Sequence, residues 1–277
     1  MSDPIKASGL SKRYCATLAV DRLDLVVGAG EVYGFLGPNG AGKTTTIRLL
    51  LGLHRPTAGR AALFGVDAWR DAVAAHRRVA YVAGEPFLWP ALTSAETFEY
   101  LARLHGSADR AYRDLLVERF QLDTNKKVRA LSKGNRQKVQ LVAAFASRAE
   151  LLILDEPTSG LDPLMEMAFR QTVMEAKERG QTVFLSSHLL SEVEAVCDRV
   201  GILRQGRLVD EGTLAELRHL SAQTAFSPVA ESKQEYTTTP HQSSGKSAVA
   251  SAARRMSGLA LIRNVHCSLS FALAHSR

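Results

Sequence analysis

A glycine-rich segment, Gly37-Pro38-Asn39-Gly40-Ala41-Gly42-Lys43-Thr44, contains the residue types needed to bind a phosphate chain. Glycines allow successive backbone N–H groups to turn inward around a phosphate, and the N-terminus of a following helix adds positive potential. Lys43 can reach the β- and γ-phosphates of a nucleotide, and the Thr44 hydroxyl can bind Mg²⁺. An ordinary strand–turn–helix connection with glycines at the turn is the alternative. The spacing predicts a nucleotide site made of residues 37–44 together with Thr45, the next residue.

Two carboxylates, Asp155 and Glu156, follow the apolar run Leu151-Leu152-Ile153-Leu154. A continuous apolar run is typical of a strand buried on both faces of a parallel sheet, and ligands bind at the carboxyl end of such strands. We expect this strand to neighbour the one that precedes the glycine segment. Asp155 would then support Mg²⁺, and Glu156 would orient a water molecule that attacks the γ-phosphate. The alternative is an acid pair that caps a helix beside Pro157.

Two further segments could complete the site. His188 follows the candidate strand Thr182–Leu185; an isolated histidine is usually structural, but one at the end of a core strand could hold the γ-phosphate or a water molecule. Ser132 and Gly134 begin a helix, where a hydroxyl, a glycine backbone and a helix N-terminus could form a second anion site. Alternatively, Ser132 serves only as the helix cap. A head-to-tail dimer would explain a second site, because the serine segment of one subunit would close on the nucleotide of the other.

The surrounding pattern predicts elements that position these residues. Residues 5–27 alternate short apolar runs with turns, which is typical of antiparallel strands, and Tyr14 lies between them as a half-buried aromatic or a base-stacking ring. Residues 92–147 have a helical pattern that begins at Thr93, with Leu101 and Leu104 on the apolar face. Strands and helices then alternate up to a hairpin at Gln205-Gly206. This order predicts an α/β fold, with a mainly parallel sheet, helices on both its faces, an antiparallel β subdomain and an inserted helical subdomain.

Composition limits the partners and the compartment. The net charge of the 277 residues is +7, of which residues 221–277 contribute four, so little supports a nucleic-acid surface on residues 1–220 and none is expected. No window of 18 residues is apolar and uncharged, and no signal peptide is evident, which predicts a cytoplasmic protein.

The C-terminal part of the sequence differs from the rest. Residues 221–277 contain eleven serines and no sustained period, so we predict a low-complexity, disordered tail after a domain of residues 1–220. Cys15, Cys197 and Cys267 are far apart and odd in number, which predicts single buried thiols rather than disulfides or a zinc site.

Together these segments resemble the nucleotide-binding subunit of an ATP-binding cassette (ABC) transporter over about Ile5–Leu220. The matching segments are the Walker A loop Gly37–Thr44, the signature loop Leu131–Asn135, Walker B and D-loop Ile153–Asp162, the switch histidine segment Ser186–His188, and the adenine-stacking aromatic Tyr14. The resemblance implies a P-loop NTPase core that binds ATP and Mg²⁺, with Glu156 as the catalytic base and His188 in contact with the γ-phosphate.

The resemblance also implies the partners and the location. Two ATPase subunits, identical or paralogous, would form two composite sites and drive a membrane permease, so the chain would lie peripherally on the inner face of the cell membrane. The run Ser132–Val139, with Leu88-Trp89-Pro90, is similar to single-cassette subunits of bacterial drug, antibiotic or polysaccharide exporters. The alternative of a soluble cassette acting on ribosomes or DNA usually has two cassettes or a long insertion between the Walker A and signature loops.

The chain departs from the family pattern at two loops. The signature reads Ser132-Lys133-Gly134-Asn135 where the family usually has Ser-Gly-Gly-Gln, but Ser132 and Gly134 keep the atoms expected to face phosphate. At the Q-loop the usual glutamine is replaced by Gly84, which has no side chain, and Glu85 or water would take its place. A cassette that binds ATP with negligible hydrolysis is therefore a third alternative.

Overall fold

The computed structural model describes residues 2–106 and 108–216. The strands are β1 Ile5–Tyr14, β2 Thr17–Val27, β3 Val32–Leu36, β4 Ala58–Leu63, β5 Val66–Asp67, β6 Val79–Val82, β7 Leu151–Asp155, β8 Thr182–Ser187, β9 Arg199–Arg204 and β10 Arg207–Thr213. The helices are α1 Lys43–Leu50, α2 Ala72–His76, α3 Ser94–His105, α4 Arg110–Arg119, α5 Lys133–Ala146, α6 Pro163–Glu178 and α7 Leu190–Glu194, with a 3-10 turn at Val128–Ala130. The disorder predicted for residues 221–277, and Cys267, lie outside the described residues.

A six-stranded sheet forms the centre of the described structure, in the order β10-β9-β3-β8-β7-β6. All adjacent pairs are parallel except β10 with β9. Its strands are apolar on both faces because both faces are covered: Leu152 and Leu154 pack in a cluster with residues of α5 and α6. Leu151 and Ile153 point the other way, into a cluster with α1 and the antiparallel strands. The predicted α/β fold with a mainly parallel sheet is confirmed.

The expected adjacency of β3 and β7 is wrong. β8 lies between them, since Val32 pairs with Val183 and Leu151 pairs with Thr182. Crossover connections in parallel sheets often skip a position, so strand order does not follow from chain order. The glycine segment after β3 and the carboxylates after β7 still meet, because both leave the sheet at its carboxyl edge.

The predicted antiparallel strands form a second sheet in the order β2-β1-β4-β5. β1 pairs with both β2 and β4. It ends at Tyr14, directly before the turn that leads to β2. Cys15 lies in this turn with φ of 48° and is exposed, so the expectation of a buried thiol is wrong there. Cys197 is partly buried and free, and burial raises the pKa of its thiol well above the ordinary value.

The described residues between Thr93 and Ala146 are predominantly helical. α3 begins with a capping box, in which the Thr93 side chain accepts from the Glu96 N–H and the Glu96 side chain accepts from the Thr93 N–H. The expected apolar face is partly wrong, because Leu104 is 61% exposed and Phe98 is the buried apolar residue of this helix. None of the helices in residues 2–106 and 108–216 is long and apolar enough to cross a membrane.

A cluster of polar side chains joins α4 to α6. Both ends of the Arg119 guanidinium donate to Glu175, at 2.7 and 2.9 Å, and the Tyr112 hydroxyl donates to the same carboxylate at 3.2 Å. The Tyr112 ring also lies against the guanidinium groups of Arg148 and Arg179, at 3.9 and 4.5 Å from its centroid. These contacts attach the helical segment to the sheet through α6.

Candidate functional site

The glycine segment joins β3 to α1 and is enclosed by neighbouring backbone. Gly42 has φ of 108°, and a Cβ added there would lie 2.4 Å from the Ala19 carbonyl oxygen. A Cβ on Gly37 would lie 2.5 Å from the Leu203 carbonyl oxygen. A side chain at either position would displace β2 or β9, so both glycines are required by close packing.

Lys43 lies at the centre of this loop. Its side chain is only 6% exposed, and Nζ donates to the carbonyl oxygens of Gly37 and Pro38 at 2.6 and 3.3 Å. Asn39 and Gly40 form the exposed tip, while Ala41 is buried and its N–H donates to Pro38 at 3.1 Å. The loop therefore holds a buried ammonium group whose position is determined by its own backbone.

A cleft of about 400 Å³ opens beside the loop at the carboxyl edge of the sheet. It brings together five of the predicted site residues, Asn39, Thr44, Asp155, Glu156 and His188. The other lining residues are Arg48 from α1, Tyr81, Ala83, Gly84 and Glu85 at the end of β6, and Ser159 after β7. The ends of four strands, β3, β6, β7 and β8, thus contribute polar groups to one cavity.

Glu156 connects the parts of the cleft. One carboxylate oxygen lies 3.1 Å from Lys43 Nζ, and the other lies 2.7 Å from His188 Nδ1. The backbone of Glu156 has φ of 47°, a strained conformation for a non-glycine residue that is concentrated at functional sites. The helix-capping alternative is wrong, because α6 begins later, with Asp162 as its cap.

Asp155 lies deeper than Glu156. It is 2% exposed and accepts a hydrogen bond of 2.6 Å from the Ser186 hydroxyl of β8. Burial and, to a smaller extent, the negative charge of Asp155 raise the pKa of Tyr81 to about 12. Tyr81 is therefore a protonated phenol in the same cavity at neutral pH.

The donor set fits a metal ion that is shared with a nucleotide. Among residues 2–106 and 108–216, no three His, Cys, Asp or Glu side chains are grouped so as to hold a metal ion. Thr44 and Asp155 nevertheless place a hydroxyl and a carboxylate in one cleft. Mg²⁺ is usually bound by one or two protein oxygens together with substrate phosphates, rather than by a protein cage.

Gly84 and Glu85 line the cleft at the predicted Q-loop position. A Cβ on Gly84 would lie 3.1 Å from the Asp155 carbonyl oxygen, so even a small side chain would contact the backbone that carries the carboxylates. The Ala83 N–H donates to the side-chain oxygen of Gln140 on α5 at 3.3 Å. The end of β6 is thus held by the helix that follows the signature segment.

Four residues of the site were not identified from the sequence. Arg48 and Tyr81 line the cleft directly, as does Ser159. Glu192 of α7 does not line the cleft, but it accepts hydrogen bonds from the Thr158 hydroxyl at 2.6 Å and from the Ser187 hydroxyl. Arg48 could have been found, because it lies four residues after Thr44 on the same helix face. Glu192 has no comparable signal, since its partner Thr158 lies 34 positions away in sequence.

The predicted residues of the signature segment, Ser132 and Gly134, lie outside this cleft. Ser132 caps α5 by accepting from the Asn135 N–H at 3.2 Å, and a Cβ on Gly134 would lie 2.2 Å from the Gly160 carbonyl oxygen. Lys133 Nζ donates to the Ser159 hydroxyl at 3.2 Å. The signature segment therefore packs on the loop after β7 and does not line the cleft beside Lys43. The cap role of Ser132 is confirmed.

Tyr14 lies at the end of β1, and its side chain is 40% exposed. Its phenol lies near Thr45, at the start of α1. Burial raises the pKa of the Tyr14 phenol, so the hydroxyl remains protonated at neutral pH. Tyr14 thus presents a partly exposed aromatic ring beside the helix that follows the glycine segment.

The chain is similar to known proteins in both sequence and structure. The family model described as "ABC transporter" matches residues 20–159. The bacitracin transport ATP-binding protein BcrA of Bacillus licheniformis is 41% identical over 214 residues, covering 76% of this chain and 70% of that protein. The daunorubicin resistance ATP-binding protein DrrA3 of Streptomyces coeruleorubidus is 41% identical, covering 77% and 69%. A solved ATP-binding subunit of an ABC transporter superposes with a TM-score of 0.73 and 33% identity, covering 79% and 93%.

Proposed function

The chain belongs to the ABC transporter family, and from that membership we propose that it is an ATPase subunit that powers export through a separately encoded membrane permease. It is an ATP-binding ATPase of that family. The observation that supports the proposed catalytic roles is the position of Glu156, whose carboxylate contacts both Lys43 and His188 in the cleft.

The proposed roles follow from the charges in the cleft. Lys43 binds the β- and γ-phosphates of ATP, with backbone N–H groups of the glycine segment around them. Glu156 accepts the proton of the attacking water, and His188 holds the γ-phosphate or that water. Glu156 and His188 act mainly by their position and charge, which is what phosphoryl transfer requires.

We propose that Thr44 and Asp155 hold Mg²⁺ together with the phosphates. When bound, the ion neutralises charge on the β- and γ-phosphate oxygens. Asp155 is suited to this role because Ser186 fixes one of its oxygens and the side chain is buried. Gly84 supplies no side chain, so Glu85 or water completes the cleft on that side.

The signature segment implies a second subunit. Ser132 and Gly134 lie outside the cleft of their own chain, so we propose that they face the nucleotide of a partner subunit in a head-to-tail dimer. The N-terminus of α5 provides the positive potential for a phosphate group there. The partner is a second copy or a paralogue.

Export is favoured by the relatives. The bacitracin and daunorubicin proteins are described as transport and resistance proteins. We place the chain in the cytoplasm, peripherally on the inner face of the cell membrane. No role with nucleic acid is proposed.

A soluble cassette acting on ribosomes or DNA is the alternative function. Lack of membrane association, even with a co-expressed partner permease, would favour this alternative.

A Glu156→Gln variant tests the catalytic proposal. Glutamine keeps the size of the side chain but cannot accept the proton, so we expect kcat to fall by at least about 10²-fold. ATP-dependent dimerisation should persist. Phosphate release and size-exclusion chromatography with Mg²⁺-ATP measure the two properties. Glu178→Gln, at the end of α6 and outside the cleft, is the control, and unchanged ATPase activity of Glu156→Gln would refute the assignment.

A further inference from the structure

His54 makes a contact that the roles above do not use. Its Nδ1 lies 2.5 Å from the Tyr14 hydroxyl, across 40 positions of sequence. The two rings meet edge to face, with centroids 5.8 Å apart and planes at 78°. His54 follows α1 in the loop that leads to β4, so it approaches Tyr14 from a different element. The contact fixes the polar end of the Tyr14 ring.

The protonation states agree with this hydrogen bond. Burial first, and then the positive charges of Arg48 and Lys12, lower the pKa of His54, so its imidazole is neutral at pH 7. A neutral imidazole can accept at Nδ1, and the protonated phenol of Tyr14 can donate. The charged groups that face His54 are Arg48 of α1 and Lys12 of β1, and both are cations. Neither offers an acceptor that would compete for the phenol.

Lys12 fixes another side of the same ring. Its Nζ lies 4.9 Å from the Tyr14 ring centroid, and it is held there by a hydrogen bond of 2.8 Å to the Arg55 carbonyl oxygen. The ring is therefore contacted on one face and at its hydroxyl, while 40% of the residue remains exposed. A planar group can reach only the ring surface that these contacts leave uncovered.

We propose that His54 is a positioning residue for nucleotide binding, which holds the ring of Tyr14 in the orientation that stacks on the base. The inference rests on the proposed ATP binding and on the base-stacking role that the family resemblance implies for Tyr14. It assigns the selectivity for a nucleoside triphosphate over inorganic triphosphate to a unit of two residues, Tyr14 and His54. The phosphates themselves are bound elsewhere, by the loop around Lys43. Loss of His54 should therefore weaken binding only of ligands that carry a base.

The test compares ATP with inorganic tripolyphosphate by isothermal titration calorimetry on the full chain. His54→Phe keeps an aromatic ring but has no acceptor, so we expect the Kd for ATP to rise about 3- to 10-fold, as for loss of one hydrogen bond. The Kd for tripolyphosphate should stay unchanged. His54→Asn places an amide oxygen near the position of Nδ1 and should restore much of the ATP affinity. In ATPase assays, KM should rise in His54→Phe while kcat stays constant.

Variants of Tyr14 separate the inference from the proposed function. Tyr14→Ala should weaken ATP binding and leave tripolyphosphate binding unchanged; an unchanged Kd for ATP would overturn the stacking role itself. If Tyr14→Ala weakens ATP binding but His54→Phe does not, only the role of His54 is overturned. If His54→Phe weakens the binding of ATP and of tripolyphosphate equally, the substitution has damaged the loop in general, and the role of His54 is also overturned.

A double-mutant cycle tests the link between the two residues. Tyr14→Phe removes the donor hydroxyl and keeps the ring. If His54 acts through this hydroxyl, His54→Phe should change the ATP affinity by less than 2-fold in the Tyr14→Phe background. Additive effects of the two substitutions would show that they act independently and would contradict the proposal.

Discussion

Individual residues in the cleft are held by partners from other elements. Glu156 lies between a buried ammonium and an imidazole, and its own backbone is in a left-handed conformation. Its N–H is bonded to the Ser186 carbonyl oxygen of β8, at 3.2 Å. The carboxylate is therefore fixed at both its backbone and its side chain. A group held in this way needs little rearrangement to act on a water molecule.

Lys43→Ala tests the contribution of the buried ammonium. The substitution removes the charge that binds phosphate and one partner of Glu156, so we expect the Kd for ATP to rise by about 10- to 100-fold, as for loss of hydrogen bonds to a charged group. Fluorescence titration with a labelled ATP analogue measures this. Lys126→Ala, whose side chain is 62% exposed, is the matched control. An ATP affinity equal to that of the wild type would contradict the role of Lys43.

Residue types in short motifs could be predicted, but their long-range partners could not. The loop around Lys43 is local in sequence, and its chemistry follows from its composition. The contact of His188 with Glu156 spans 32 positions, and that of Tyr14 with His54 spans 40. Such contacts depend on how elements pack. His54 in particular has no motif around it, so only the structure reveals its contact with Tyr14.

Helices and strands were predictable where their ends carry specific side chains. The capping box at Thr93 and the Asp162-Pro163 start of α6 are both local signals, and both helices begin there. The hairpin at Gln205-Gly206 is also confirmed, with Arg204 paired to Arg207. The order of strands was not predictable, because β8 enters the sheet between β3 and β7 by a crossover that leaves no local mark.

The N-terminal caps of α3 and α5 have the same local function, so the effects of removing them can be compared. Thr93 caps α3 and Ser132 caps α5, and each side chain accepts from a backbone N–H three residues later. Replacing either by alanine should lower the free energy of unfolding by about 1 kcal/mol in urea titrations. Only Ser132→Ala should also weaken ATP-dependent dimerisation, since only Ser132 is proposed to face a partner's nucleotide. Equal dimerisation of the two variants would count against that proposal.

On the scale of the whole molecule, the link between α4 and α6 determines how the helical segment is attached to the sheet. Glu175 receives four hydrogen bonds, two from Arg119 and one each from Tyr112 and Gln171. The hydrogen bonds and positive charge of Arg119 lower the pKa of this carboxyl. Since its pKa is lower in the folded state, the carboxylate stabilises the fold above about pH 4.5, and this stabilisation is lost as the pH falls through the lowered pKa.

Glu175→Gln should therefore change the response of stability to acid. At pH 7 we expect the free energy of unfolding to fall by roughly 1–3 kcal/mol, because charged hydrogen bonds are replaced by neutral ones. Below pH 4.5 the difference between variant and wild type should shrink. Urea titrations at several pH values measure this. Glu118→Gln, exposed on α4, is the control, and a difference that stays constant with pH would contradict the prediction.

The position of β3 in the sheet has a consequence for synthesis of the protein. Both neighbours of β3 are strands made much later: Val32 pairs with Val183 of β8, and Tyr33 pairs with Arg199 of β9. During translation, the strand that carries the phosphate-binding loop has emerged from the ribosome long before its partners exist. Long-range pairing is slow and leaves strand edges open to misassembly. The nascent chain can therefore complete the strand pairing around its nucleotide site only after β8 and β9 have emerged.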